Sequence, residues 1–188
     1  RGVTMAQLAL RWILMFDGKS TAGWMCGSTD GGAPRWEVEA DDTSPSKPNT
    51  LVQTGSGTFP WCVKQSAQIT DGFVEVKFKP LASREDQAGG LIWRFKDANN
   101  YYIARANALE NNVSLYHTQS GRRITIKYVN APVAGNQWHT LRVEFAGKAI
   151  KVMLDGKQYI AAENDQIAGA GAVGVWTKAD SVTAFDDF

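Results

Sequence analysis

Long apolar runs are missing from this chain. No stretch approaches the ~18–20 residues that a membrane-spanning helix needs, so no membrane span is expected. An excess of either charge is missing as well: 20 basic residues stand against 19 acidic ones, a formal net charge of +1. That balance offers no electrostatic attraction for nucleic acid or for an anionic membrane. Histidine is scarce, and His117 and His139 are too far apart in the chain to suggest a zinc site. Cys26 and Cys62 are the only cysteines, with no CxxC. One disulfide in an oxidising compartment and two buried thiols fit that pattern equally well.

The signatures of common catalytic machinery are also lacking. There is no GxSxG, and neither histidine stands in a triad context. No dinucleotide or phosphate-loop fingerprint is present, because GAGAVG at 169–174 reads as a glycine-alanine turn leading into a strand. Ordinary glycoside hydrolysis needs two carboxyl groups, about 5–5.5 Å apart for retention or about 6.5–9.5 Å for inversion. An ExDxxE strand would supply them on one face, and none exists. Glu37 and Glu39 share a face, but Ala40 and Asp41 do not complete the pattern.

What is present describes a β protein. The 188 residues suit one domain with a substantial core, and 44% hydrophobic with 21% charged residues is ordinary for a soluble globular chain. Seven tryptophans, 5 tyrosines and 18 glycines add aromatic bulk and turns. From about Arg35 the chain reads as short strands: WEVEA, TLVQT, FVEVKFKP, LIWRFK, YYIARAN, VSLYHT, RITIKYV, WHTLRVEF, IKVMLDG, KQYIAA, AVGVWTK and VTAFDDF. Ser120-Gly121, Ala146-Gly147 and Asp155-Gly156 put glycines where tight hairpins need positive φ. Leu141, Val143 and Phe145 alternate with Arg142 and Glu144, as a half-buried strand requires. So many short strands indicate a β-sandwich or barrel over residues 16–188.

Residues 1–15 follow a different rule. Met5, Leu8, Ala9, Trp12, Ile13 and Met15 recur near helical spacing, and Thr4 with Gln7 has capping-box spacing. The pattern predicts an appended N-terminal helix ended by Asp17-Gly18. Arg11 interrupts its apolar stretch and no small-x-small cleavage site precedes Gly18, which argues against a signal peptide. Its apolar stripe makes self-association through this helix an expectation.

The candidate site centres on YYIARANALENNVSLY, residues 101–116. With period two, Tyr101, Ile103, Arg105 and Asn107 share one face, and Tyr102, Ala104 and Ala106 the other. The second set suits close packing. The first ends in groups able to hydrogen-bond a polyol, with Glu110 and Asn112 nearby. Arg94 on LIWRFK offers another guanidinium. In VWTKADS, Trp176 offers an aromatic face, with Lys178 and Asp180 beside it. Sugars need this mixture of planar polar groups and an aromatic plate. Arg94, Arg105, Asn107, Asn112, Trp176 and Lys178 are therefore the candidate binding residues, and Glu110 and Asp180 the candidate acids or bases. The structural alternative is that the asparagines make the turn, Arg105 pairs with Glu110, and Trp176 is core. No organic cofactor is expected. Calcium is the one ion considered, through Asp17 with Asp186 or Asp187; adjacent aspartates on a strand point to opposite faces, so only one of the last two can join.

The run DQAGGLIWRFKDANNYYIARANALENNVSLYHTQSGRR, followed by NQWHTLRVEF, LDGKQ and GAVGVWTKADSVTAFDDF, resembles bacterial concanavalin A-like domains of the 3-keto-disaccharide hydrolase family, which are similar to family-16 glycoside hydrolases. FDGKSTAGW near the start is similar to that family's opening. The resemblance covers residues 16–188. It implies a two-sheet jelly-roll sandwich that interacts with carbohydrate and is often exported, hence periplasmic or secreted. It also implies a rival reading, a hydrolase or lyase acting on 3-keto-glycosides. Glu110 or Asp180 would then be the base, and Arg105 or Lys178 would hold the oxyanion. A third reading is an interaction module without catalysis. GVTMAQLALRWILMFD is similar to a C-terminal helix of aldo-keto reductases, which adds nothing to the function.

Overall fold

The structure, a computed structural model, describes residue 16 and residues 18–188. The helix expected over residues 1–15, and Asp17, lie outside the described residues. In chain order the strands are β1 (Trp24–Ala33), β2 (Trp36–Ala40), β3 (Asn49–Gln53), β4 (Ser56–Ile69), β5 (Gly72–Ala82), β6 (Ala88–Asp97) and β7 (Asn100–Asn107). They continue as β8 (Asn112–Gln119), β9 (Arg122–Asn130), β10 (His139–Ala146), β11 (Ala149–Leu154), β12 (Lys157–Glu163), β13 (Gly171–Trp176) and β14 (Val182–Asp186). No described residue is helical, so none belongs to a helix long and apolar enough to cross a membrane.

The strands pair antiparallel into two seven-stranded sheets. The first runs β1-β4-β13-β6-β7-β8-β9 and the second β12-β11-β10-β5-β14-β3-β2. Consecutive strands β6 to β9 are joined by tight hairpins, as are β10 to β12. At Asp155-Gly156 both central residues have positive φ (50° and 77°), and Ser120-Gly121 repeats the geometry (50° and 79°). Both are the turns whose backbone twist matches that of the flanking strands.

The core lies between the sheets, and side-chain alternation fills it. Leu141, Val143 and Phe145 face inward on β10, opposite Val74 and Val76 on β5. Tyr102, Ala104 and Ala106 form the inward set of β7, as their small and apolar character predicts. Trp93 stacks between Tyr102 (5.3 Å) and Phe145 (5.7 Å) and so ties the two sheets together. Gly89 lets Phe78 press against the backbone of β6: a Cβ there would fall 2.3 Å from the ring. Burying a ring of this size contributes about 1.5–3 kcal/mol.

Two strands escape the sequence pattern. WMCGSTDGGA (β1) carries small and glycine residues with no repeating large apolar position, and SGTFPWCVKQSAQI (β4) holds a proline and a polar second half. Both become strands because the register with their neighbours recruits them. That register puts Cys26 directly opposite Cys62, and the two are disulfide-bonded.

Candidate functional site

Period two decides what the outer face of the first sheet presents. Tyr101, Ile103, Arg105 and Asn107 of β7 point away from the inter-sheet core, in register with Thr118, Tyr116, Ser114 and Asn112 of β8. Tyr101 and Ile103 are buried there in a second apolar cluster with Trp61, Ile92, Phe95, Tyr116 and Trp176. The hairpin between them is held by Asn107, whose Oδ1 accepts from the amides of Leu109 (2.9 Å) and Glu110 (3.3 Å). Asn111 takes the left-handed position (φ 50°). That turn folds Glu110 back over the strand ends.

There it meets a tight polar network. Arg105 Nη2 donates to Glu110 Oε2 (2.5 Å) and to Asn112 Oδ1 (3.1 Å). Asn112 Nδ2 donates to the same Glu110 oxygen (2.6 Å) and to the Tyr128 hydroxyl (3.2 Å), while Ser114 Oγ donates to Asn112 Oδ1 (3.1 Å). Below this layer lies Asp86, only 1% exposed. It accepts from Arg105 Nη1 (3.3 Å), Asn107 Nδ2 (2.5 Å) and Lys178 Nζ (2.5 Å). A buried carboxylate is tolerated only when paired and hydrogen-bonded in this way.

Asp180 stands just behind. Its carboxylate accepts from the backbone amides of Arg84 (2.8 Å), Glu85 and Asp86 (both 3.1 Å). It therefore clamps the loop that carries Asp86. Burial works to raise the Asp180 pKa, but these amides outweigh it and hold the carboxyl below its usual range. Glu110 behaves alike: burial pushes its pKa up, and Asn112 together with the Arg105 charge brings it below the ordinary glutamate value. Both hydrogen bonds to Glu110 engage Oε2, and its side chain is 43% exposed, so Oε1 remains open to a ligand.

Arg105, Asn107, Glu110, Asn112 and Lys178 thus converge on one network, with Asp180 in support. Two predicted residues do not join it. Arg94 lies further along β6 and donates to the carbonyls of Thr70, Ile167 and Gly147 and to Asp71, stitching loops of both sheets. Its positive φ (47°) at a register shift swings the side chain away from the hairpin. Trp176 is on the same face but wholly buried. Its ring packs against Gly90, where an added Cβ would come within 3.2 Å of it, and stacks on Phe59 (5.8 Å). The exposed apolar surface beside the network is instead Tyr128 (51%) on β9 and Leu109 (49%) in the hairpin.

Asp86 and Tyr128 were not readable as site residues. SREDQ looks like any polar loop, and RITIKYV like any edge strand. The available signal was Arg105 itself, a guanidinium on a strand that needs a second carboxylate. Two shallow hollows, about 310 and 380 Å³, lie elsewhere. Arg94 walls the first, its donors committed to backbone carbonyls and Asp71, and exposed Lys96 walls the second, held to the Ala170 carbonyl. The network at the hairpin is therefore the better candidate site. As for calcium, Asp186 accepts from Ser44 Oγ, Ser46 Oγ and two backbone amides, and Asp187 pairs with Lys77 (2.7 Å).

Two antiparallel seven-stranded sheets packed face to face define a concanavalin A-like jelly-roll sandwich. The same fold recurs in a carbohydrate-binding module, CBM66, from Bacillus subtilis, with a TM-score of 0.70 and 22% identity over 87% of this chain and 92% of that one. A putative glycosyl hydrolase from Parabacteroides distasonis aligns with a TM-score of 0.63 and 14% identity over 98% and 95% of the two chains. A β-glucanase from Bacillus licheniformis aligns with a TM-score of 0.55 and 16% identity over 88% and 90%. No curated protein matches the chain. The chain belongs to the 3-keto-alpha-glucoside-1,2-lyase-like domain family, whose model matches residues 11–186.

Proposed function

We propose that the chain binds a glycan at the hairpin end of the outer face of the first sheet. The observation that carries this reading is the pairing of Glu110 with Tyr128. A carboxylate fixed by Arg105 and Asn112 keeps one oxygen free, beside a half-exposed aromatic ring whose hydroxyl is held by Asn112. Sugar hydroxyls go to Glu110 Oε1 and Lys178, and the apolar face of the ring lies against Tyr128. Arg105, Asn107 and Asn112 position these groups, as do Asp86 and Asp180 beneath them. A few hydrogen bonds of about 1 kcal/mol each and one aromatic contact of similar size support affinities from millimolar to tens of micromolar, about −4 to −6 kcal/mol. Calorimetry against a panel of mono- and disaccharides at millimolar concentration tests it. Tyr128→Ala and Glu110→Gln are each expected to weaken the binding sugar about 5–10-fold. Binding unchanged in both variants would refute the assignment. The Cys26–Cys62 disulfide fits the exported setting that such a ligand implies.

A second reading follows from the family's description and from the open, ionised oxygen of Glu110. A 3-keto group acidifies the neighbouring C–H. Glu110 would take the C2 proton, the C–H electrons would form the C1–C2 double bond, and the C1–O bond would break, its oxygen leaving with a proton from water. Lys178, its charge oriented by Asp86, would stabilise the developing enolate oxygen. Asp180 is committed to backbone amides and serves as a positioning group in this scheme. Product release from 3-keto-glucosides that Glu110→Gln does not diminish would dismiss it.

A further inference from the structure

One guanidinium on this face remains outside the network. Arg123, on the edge strand β9, reaches back across the sheet into a cage of three rings: 4.5 Å from the centre of Tyr116, 4.9 Å from Phe59 and 5.9 Å from Trp176. Among the described residues it forms no ion pair, and its buried Nη1 has no hydrogen-bond partner. Burial disfavours its charge, and so does Arg105, whose guanidinium sits 5.7 Å from the same Tyr116 ring. The buried Nε of Arg105 likewise has no partner.

The neighbouring charges are already answered. Asp86 and Glu110 take Arg105, and Asp86 takes Lys178. Asp180 is occupied by amides, and Glu85, 3.9 Å from Lys178, is largely exposed and screened. Asp86 and Glu110 favour the Arg123 charge from a distance but do not touch it. A fixed, half-buried guanidinium with no counterion among the described residues, placed beside a second one, is an anion-reading arrangement, since charge-assisted hydrogen bonds to carboxylate or sulfate are about twice as strong as neutral ones.

We propose that Arg123 makes the site selective for an acidic sugar, one bearing a carboxylate or a sulfate: the anionic substituent lies against Arg123, and the hydroxyls turn to Glu110 and Lys178. The negative Glu110 at one end and the unpaired cation at the other orient the ring. This inference rests on glycan binding at the hairpin.

The experiment is calorimetry with matched pairs: methyl glucuronide with methyl glucoside, galacturonate with galactose, and glucose 6-sulfate with glucose. At low salt the acidic member of the accepted pair is expected to bind about 10-fold tighter, with the gap narrowing as NaCl rises. Arg123→Gln abolishes the gap and leaves the neutral member's affinity unchanged, while Arg123→Lys keeps part of it. Preference for uronates alone identifies a carboxylate ligand, and for the 6-sulfate alone a sulfated one. Equal affinity for acidic and neutral members, or a gap that survives Arg123→Gln, overturns the proposal and leaves glycan binding standing. No binding by any member overturns both. Should Arg123→Gln unfold, the salt series on the unmodified chain decides: a preference that 0.5 M NaCl, about a 4 Å screening length, leaves untouched is not electrostatic and overturns the proposal.

Discussion

Asp86→Asn keeps the shape of a side chain and removes its charge, so it isolates what the buried carboxylate contributes. Asp86 accepts from Arg105, Asn107 and Lys178, and is 1% exposed. In the variant one oxygen becomes an NH2 that points at donors. Lys178 can turn its ammonium toward solvent, but Arg105, 2% exposed, cannot. Breaking a buried pair by removing one partner costs about 3–5 kcal/mol, and the escape of Lys178 places the expectation near ~3 kcal/mol. For a chain of this length that corresponds to a fall in Tm of about 6–12 °C. Glu110→Gln is the control on the same guanidinium. Its side chain is 43% exposed, so the loss should stay below about 1 kcal/mol. Urea unfolding followed by tryptophan fluorescence at pH 7 measures both. If Asp86→Asn costs less than about 1 kcal/mol, or if the two variants cost the same, the division between a buried anchor and an exposed ligand group is wrong.

Gly89→Ala should destabilise by about 1–3 kcal/mol, because its Cβ would lie 2.3 Å from the Phe78 ring, and Phe78→Leu should recover part of that loss in the double variant. The pKa of Glu110 is depressed in the folded chain. Its contribution to stability is therefore present above the unfolded value of about 4.3 and is lost as the pH falls through the lower folded value. The stability difference between the unmodified chain and Glu110→Gln should accordingly hold from pH 7 to pH 5 and vanish on further acidification; a difference that grows in acid would reverse the sign assigned to Arg105 and Asn112.

Much of the architecture was legible because alternation is a local property. Leu141–Val143–Phe145, the small inward set of β7 and the Asp-Gly turn each state their role within a few residues. The hairpin chemistry was legible for the same reason: Arg105, Asn107, Glu110 and Asn112 are neighbours along two paired strands. Two strands were not legible. β1 and half of β4 carry no periodic apolar signal, and they become strands only when paired with each other and with β13.

The sequence by itself therefore determined the strand periodicity, the turns, the all-β class and the polar hairpin. Tertiary structure decided what those groups do. It joined Cys26 to Cys62 by strand register, buried Trp176 against Gly90 and left Tyr128 exposed. It turned Arg94 and Asp180 to the support of loops, and brought Asp86 from a distant loop beneath Arg105 and Lys178. The physical reason is range. Backbone alternation and turn preference act over two to four residues, whereas counterions, burial and ring stacking depend on neighbours that only the closed sandwich brings within reach.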